Sequence, residues 1–252
     1  MNISILSLIS SSLISKSPLF VSNHMIVANC HFQKFTSLLF YNQPFYHLHK
    51  TIFNKGLDGI VKFENVINRT EVNITDDSFY GNYSRIVYHD PIQEPIKATN
   101  SIKAAHIITF CQFIGIESND PIIHMNKNSS SYFSDVLFYN CKANQHLIKF
   151  DNSRCNTMTH ICSYNNIVDG GSEFIYSDFS KKDFFIIIYS TFVGSNSNSL
   201  CFIESKSGSQ YFKCINFSKY DGQIDAQVIN IDAPYCCSST YISFNDINNK
   251  LY

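Results

Sequence analysis

Tryptophan is absent from this 252-residue chain, and arginine is nearly so, with Arg69, Arg85 and Arg154 the whole complement. Guanidinium groups give the bidentate grip on phosphate and guanine, so their scarcity excludes a nucleic-acid-reading surface. Charged residues are 15% of the chain and sum to −1, which removes a basic footprint for nucleic acid or anionic lipid. No apolar run approaches the roughly 18 residues of a membrane helix, so no transmembrane segment is expected. There is no Cys-x-x-Cys pair of the zinc or redox kind, and nine cysteines, an odd number, do not make a fully paired disulfide framework. The opening residues MNISILSLISSSLISKSPLF have no basic start and no small-x-small cleavage site, which leaves a secretory leader little support. No 3.6-residue apolar pattern of useful length occurs, which excludes helical solenoids, and the leucine-rich repeat consensus is missing too.

What the chain does contain is strand-favouring Phe, Tyr and Ile set at a long period. An aromatic anchor recurs at Phe32, Phe53, Phe79, Phe113, Phe138, Tyr164, Phe192, Phe217 and Phe244, at intervals of 21, 26, 34, 25, 26, 28, 25 and 27 residues. The longest interval holds HDPIQEPIKATNSIK, a Pro-containing polar insertion that reads as a loop. After eight of these anchors comes a second short run ending in an acid or amide: LFYN, VKFE, VYHD, IHMN, IKFD, IYSD, CFIE and INID. Each run alternates with period two, as in Val61 and Phe63 against Lys62 and Glu64. Two or three short strands in about 26 residues fit one coil of a parallel β-helix, whereas a propeller blade needs about 40 residues. The expectation is an all-β, single-domain right-handed parallel β-helix over 25–252, of about nine coils, with 1–24 an irregular segment or partial first coil. Cys30, Cys111 and Cys162 each stand two residues before an anchor and are expected to be small buried hydrophobes.

Stacking the coils aligns Asn42, Glu64, Asp90, Asn126, Asp151, Asp178, Glu204 and Asp232 along one outer edge. Side chains of this kind close turns on backbone N–H groups, yet like charges about 5 Å apart also repel. A bound Ca²⁺, which prefers oxygen ligands, is the one cofactor this ladder suggests. The preceding outward positions are Phe40, Lys62, Tyr88, His124, Lys149, Tyr176, Phe202 and Asn230. The candidate binding residues are therefore Glu64, Asp90, Asp151, Asp178, Glu204 and Asp232 with Tyr88 and Tyr176, where rings offer an apolar face and carboxylates accept hydroxyl protons from a glycan.

Other constellations are thinner. Asp76-Asp77 are the only adjacent carboxylates and have no basic partner, so they read as turn formers rather than a catalytic pair. His47 and His49 share one face of an extended segment, suitable for two metal ligands, but no third is identifiable. Cys236 and Cys237 point to opposite faces of a strand. Sequons at Asn2, Asn68, Asn73, Asn82, Asn128 and Asn216 are close to the four or five that chance would give, roughly, in so Asn- and Ser-rich a chain.

The repeat resembles the right-handed parallel β-helix, or pectin-lyase-like, superfamily over residues 30–244, and its composition resembles uncharacterised β-helix proteins of parasitic protists. A looser likeness to polymorphic outer-membrane-type repeats rests on Phe79 to Asn82 and on Gly170-Gly171 followed by Phe174 and Ile175. Pectin-degrading members carry Asp clusters with Gly-His-Gly and Arg-x-Lys motifs, and those motifs are missing here. The superfamily includes pectin-degrading enzymes and non-enzymatic solenoid domains of bacterial surface proteins, and elimination of the catalytic motifs leaves a non-catalytic solenoid with a structural or adhesion role at a cell surface as the expectation. A polysaccharide lyase or hydrolase is the alternative. The expected partners are a glycan or another protein, not nucleic acid; the stop at FNDINNKLY soon after the last anchor points either to further sequence or to end-to-end association of rods.

Overall fold

The computed structural model describes residues 3–6, 25–29, 31–33, 40–41, 45–54, 61–64, 70–75, 77–82, 87–90, 104–126, 129–151, 153–169, 175–178, 183–194, 196–197, 201–219, 221–222, 227–232 and 236–245. These residues are strands and turns, and none of them forms a helix. In particular, no helix among them is long and apolar enough to cross a membrane.

One turn shows the plan. Ser129–Tyr139 runs along a long sheet, Lys142–Ala143 follows a corner, Ile148–Asp151 lies in a second sheet, and the chain returns as Cys155–Tyr164. Each strand pairs in parallel with its equivalent one turn later: Phe133 with Met158, Ala143 with Val168, Ile148 with Ile175. The molecule is a parallel β-solenoid. About five turns are complete, rather than the nine expected, counting the stretch from Ala104 to Gly222 where side chains as well as backbone are described for most residues. The same parallel pairing carries the backbone ladder down to Ile3, which pairs with Met25, and up to Asn245.

The alternation read from sequence sorts side chains between the interior and the outside. Val27, Leu48, Ile74, Ile108, Phe133, Met158, Ile187 and Phe212 form one buried column, rung upon rung. The anchors Phe113, Phe138, Phe192 and Phe217 are buried in another, which Phe244 continues at a more exposed rung. Phe113 stacks on Phe138 with ring centroids 4.7 Å apart, Phe192 on Phe217 at 5.2 Å and Phe217 on Phe244 at 5.5 Å. Full burial of each such ring stabilises by about 2–3 kcal/mol relative to exposure, so the columns are the main source of cohesion.

The anchor series contains one correction. Ser163, not Tyr164, pairs with Phe138 and Phe192, and Tyr164 lies outside beside Tyr139 with their rings 5.6 Å apart. Tyr164 is 46% exposed while Ser163 is fully buried. The reason is parity: Met158, Ile161 and Ser163 point inward together across a corner at His160, and turning Tyr164 inward would expel the two larger apolar chains. Cys162 consequently faces solvent, contrary to expectation, while Cys111 is buried as expected and Cys30 lies outside the described residues.

Corners are made by single residues with left-handed backbone. Asn29, Lys50, Phe110, Asp135, His160, Tyr189, Cys214 and Tyr241 form one such column, with φ of 54, 51, 54, 56, 52, 50, 52 and 55°. Gly115, Asn140, Asn165, Gly194 and Lys219 form the other. One residue in this conformation bends the strand while its N–H still bonds along the axis, as Phe110 N donates to Ser134 O at 3.0 Å and Asn165 N to Val193 O at 2.9 Å. Asn and Gly tolerate that backbone; the Phe and Tyr corners cost about 1 kcal/mol or more each.

Candidate functional site

The second sheet carries the residues that the sequence singles out. Its strands Val61–Glu64, Val87–Asp90, Ile123–Asn126, Ile148–Asp151, Ile175–Asp178, Cys201–Lys206 and Gln227–Asp232 pair in order. Ile123, Ile148, Ile175 and Ile203 are aligned and buried, which fixes the neighbouring residues outward.

Register places Glu64 beside Asp90, Asn126 beside Asp151, and Asp151 beside Asp178. The next place in that column belongs to Lys206, which pairs with Asp178 and Asp232. Glu204 instead stands in the register row of Lys62, Tyr88, His124, Lys149, Tyr176 and Asn230. The strand has slid by two residues relative to the sequence reading. Such a slide keeps Ile203 and Ser205 inside, and Ser177 Oγ donates to Ser205 Oγ at 2.7 Å across the rung. Tyr41, not Phe40, pairs with Lys62, and Glu204 rather than Phe202 pairs with Tyr176, so neither phenylalanine belongs to this row. Asn42 lies outside the described residues, as do the side chains of Glu64, Tyr88, Asp90 and Asp232.

The remaining candidates converge around Tyr176. Lys149 Nζ lies 2.8 Å and His124 Nε2 3.1 Å from Asp151 Oδ2. Lys206 Nζ lies 3.0 Å from Glu204 Oε1. Both ammonium groups also approach the Tyr176 ring, at 5.6 and 5.3 Å from its centroid, and His146 stacks on it at 5.1 Å. Ammonium and ring quadrupole attract, so the half-buried phenol is gripped from both neighbouring strands.

These surroundings set the protonation states. Burial alone raises the Asp151 pKa, but the His124 and Lys149 hydrogen bonds and charges outweigh it and hold the carboxyl below the usual carboxylate range. Tyr176 moves the other way: burial raises its pKa, Lys206 lowers it, and the carboxylates of Asp178, Asp151 and Glu204 add to the rise. At neutral pH the site therefore presents a neutral phenol and an ionised carboxylate. It offers hydrogen-bond donors (Tyr176 hydroxyl, Lys149, Lys206) beside acceptors (Asp151, Glu204) on a partly apolar floor.

Lysines supply much of the charge balance for which the sequence suggests Ca²⁺. No group of three or more His, Cys, Asp and Glu side chains that could hold a metal ion occurs among the described residues. His47 and His49 do share a face, flanking buried Leu48 with rings 6.1 Å apart. Asp77 is buried in an inner column, where its Oδ1 accepts the Thr51 N–H at 2.6 Å, while Asp76 lies outside the described residues. The Lys206 and His146 contributions are the part that sequence reasoning missed; the apolar-x-apolar signature of Ile203 and Ser205, with a serine as the inner residue, was too weak to fix the slide.

No family model, no curated protein and no solved structure matches this chain.

Proposed function

We propose that this solenoid is a non-catalytic binding scaffold at a cell surface, and that it recognises hydroxyl-rich glycan chains with the second sheet's outer face around Tyr176. The supporting observation is the assembly of Lys149, Lys206 and His146 about one ring, with Asp151 and Glu204 paired to those lysines, on a regular sheet. Sugar recognition uses these ingredients: an aromatic surface for C–H faces, with ionised groups that donate to and accept from hydroxyls. Asp151, held ionised by two partners, is suited to accepting hydroxyl protons rather than to delivering one to a glycosidic oxygen. The repeat's likeness to pectin-lyase-like β-helices and to those of protists belongs to the same proposal.

Glycan-array binding of the full chain is the test, with Tyr176→Ala as the probe of the face. Selective binding that falls about tenfold or more in the variant, a loss of roughly 1.4 kcal/mol, supports the reading. Binding unaffected by the substitution, or none at all, overturns it. The lyase or hydrolase alternative draws on the His124–Asp151 pair alone; release of unsaturated or reducing ends from polyuronides, abolished by Asp151→Asn, would establish it instead.

A further inference from the structure

Three adjacent strands of the second sheet bring five charges to one phenol. Lys149 and Asp151 lie on one strand, Tyr176 and Asp178 on the next, and Glu204 and Lys206 on the third. Rungs are about 4.8 Å apart, so the set spans about 10 Å, one Debye length at 0.1 M salt, and its charges act together. Neither ammonium group is spare. Lys149 Nζ is 2.8 Å from Asp151 Oδ2 and Lys206 Nζ is 3.0 Å from Glu204 Oε1, each pair held two residues apart on its own strand. Asp178 adds a third carboxylate, close enough to the phenol to help raise its pKa.

Resting on the glycan reading above, we infer that this face selects uncharged glycans and rejects both polyanionic chains, such as polyuronides, and amino-sugar chains. An incoming carboxylate or sulfate has to displace Asp151 or Glu204 from its lysine. It does so at a site whose three carboxylates outnumber its two ammonium groups, so like-charge repulsion opposes it. A sugar ammonium fares no better at the ring, because Lys149 and Lys206 already stand 5.6 and 5.3 Å from its centroid. Hydroxyls need no such exchange. An ammonium has three N–H donors and a carboxylate about four lone-pair sites, so one ion pair uses only part of either group. A hydroxyl can then donate to the carboxylate and accept from the ammonium of an intact pair. The ion pairs thus serve as a filter: they offer hydrogen bonds to neutral sugars while neutralising the cations that would draw acidic ones.

Binding of the full chain to a panel of neutral glucans, mannans, xylans and galactans, beside polygalacturonate and glucosamine oligomers, tests the inference. The wild type is expected to bind a neutral member at least about tenfold more tightly than either charged class. Glu204→Gln, which frees Lys206 and removes one negative charge, is expected to raise affinity for polygalacturonate about tenfold, and Asp151→Asn to do the same by freeing Lys149. Circular dichroism checks that each variant is folded; should Asp151→Asn lose its β signature, Glu204→Gln decides alone. Polygalacturonate or glucosamine oligomers bound as tightly as any neutral glycan overturn the inference and leave the glycan reading standing. A preference for neutral chains that neither substitution alters overturns the assignment of selectivity to these ion pairs. Failure to bind any member of the panel overturns the glycan reading itself, and the inference with it.

Discussion

The side-chain oxygen of Asn166 accepts the backbone N–H of Cys141, one turn earlier, at 2.7 Å in the interior of the solenoid. The same amide donates to Phe138 O at 3.0 Å and Ser163 Oγ at 2.9 Å. Here the aromatic column is interrupted, and a polar pair satisfies itself where a ring would otherwise stand.

Asn166→Ala is expected to cost about 2–3 kcal/mol, because it removes three hydrogen bonds and strands a buried N–H. Asn165→Gly, one residue away, is expected to change stability by under about 1 kcal/mol, since Asn165 is an exposed left-handed corner with φ of 53° that glycine adopts freely. Urea denaturation of the two variants measures the contrast. Equal losses would mean that the interior network carries no special weight.

Register around Ser163 has its own test. Phe138→Ala empties a fully buried, stacked ring site and is expected to cost about 3–5 kcal/mol, whereas Tyr164→Ala removes an exposed ring and is expected to cost under about 1 kcal/mol. Were Tyr164 the inward anchor, the two losses would be comparable. Thermal unfolding midpoints distinguish the cases.

Thiol chemistry reports the same parity. Burial pushes the Cys141 thiol up to about 11, and its sulfur donates to Phe113 O at 3.2 Å, so it should resist iodoacetamide in the native state. Cys162 is exposed and is expected to alkylate readily at pH 8. Peptide mass mapping after brief labelling gives the answer, and modification of Cys141 before unfolding would contradict the burial.

Acid sensitivity should trace partly to Asp151. Its folded pKa lies below its unfolded value, so its contribution is fully present above the ordinary carboxylate range near 4 and is lost as pH falls through the lower folded value. Asp151→Asn should therefore flatten the decline of stability below about pH 4. An unchanged profile in denaturation curves between pH 2 and 7, about the range where carboxylates titrate, would show that its bonds to Lys149 and His124 contribute nothing.

The solenoid was legible because burial is periodic twice over. Within a strand, Ile148 and Phe150 alternate with Lys149 and Asp151; between turns, the Phe113 and Phe138 places recur. Less of the site could be read. Tyr176, Asp151 and Asp178 fell where expected, but a two-residue slide at Cys201–Lys206 exchanged Glu204 for Lys206 in the acidic column. Period-two patterns cannot detect such a slide, since every inward residue stays inward.

By itself, then, the sequence determined the fold class: residues that alternate between apolar and polar and repeat about every 26 positions have few ways to bury one face except by parallel coiling. Tertiary structure alone decided which residues became neighbours. Rung-to-rung register is set by the sum of inward packing and corner geometry over a whole turn, and that sum put Ser163 inside, Tyr164 outside and Lys206 over Tyr176. A local pattern cannot carry this information, because side-chain volume on one strand is matched against strands that are distant in the chain.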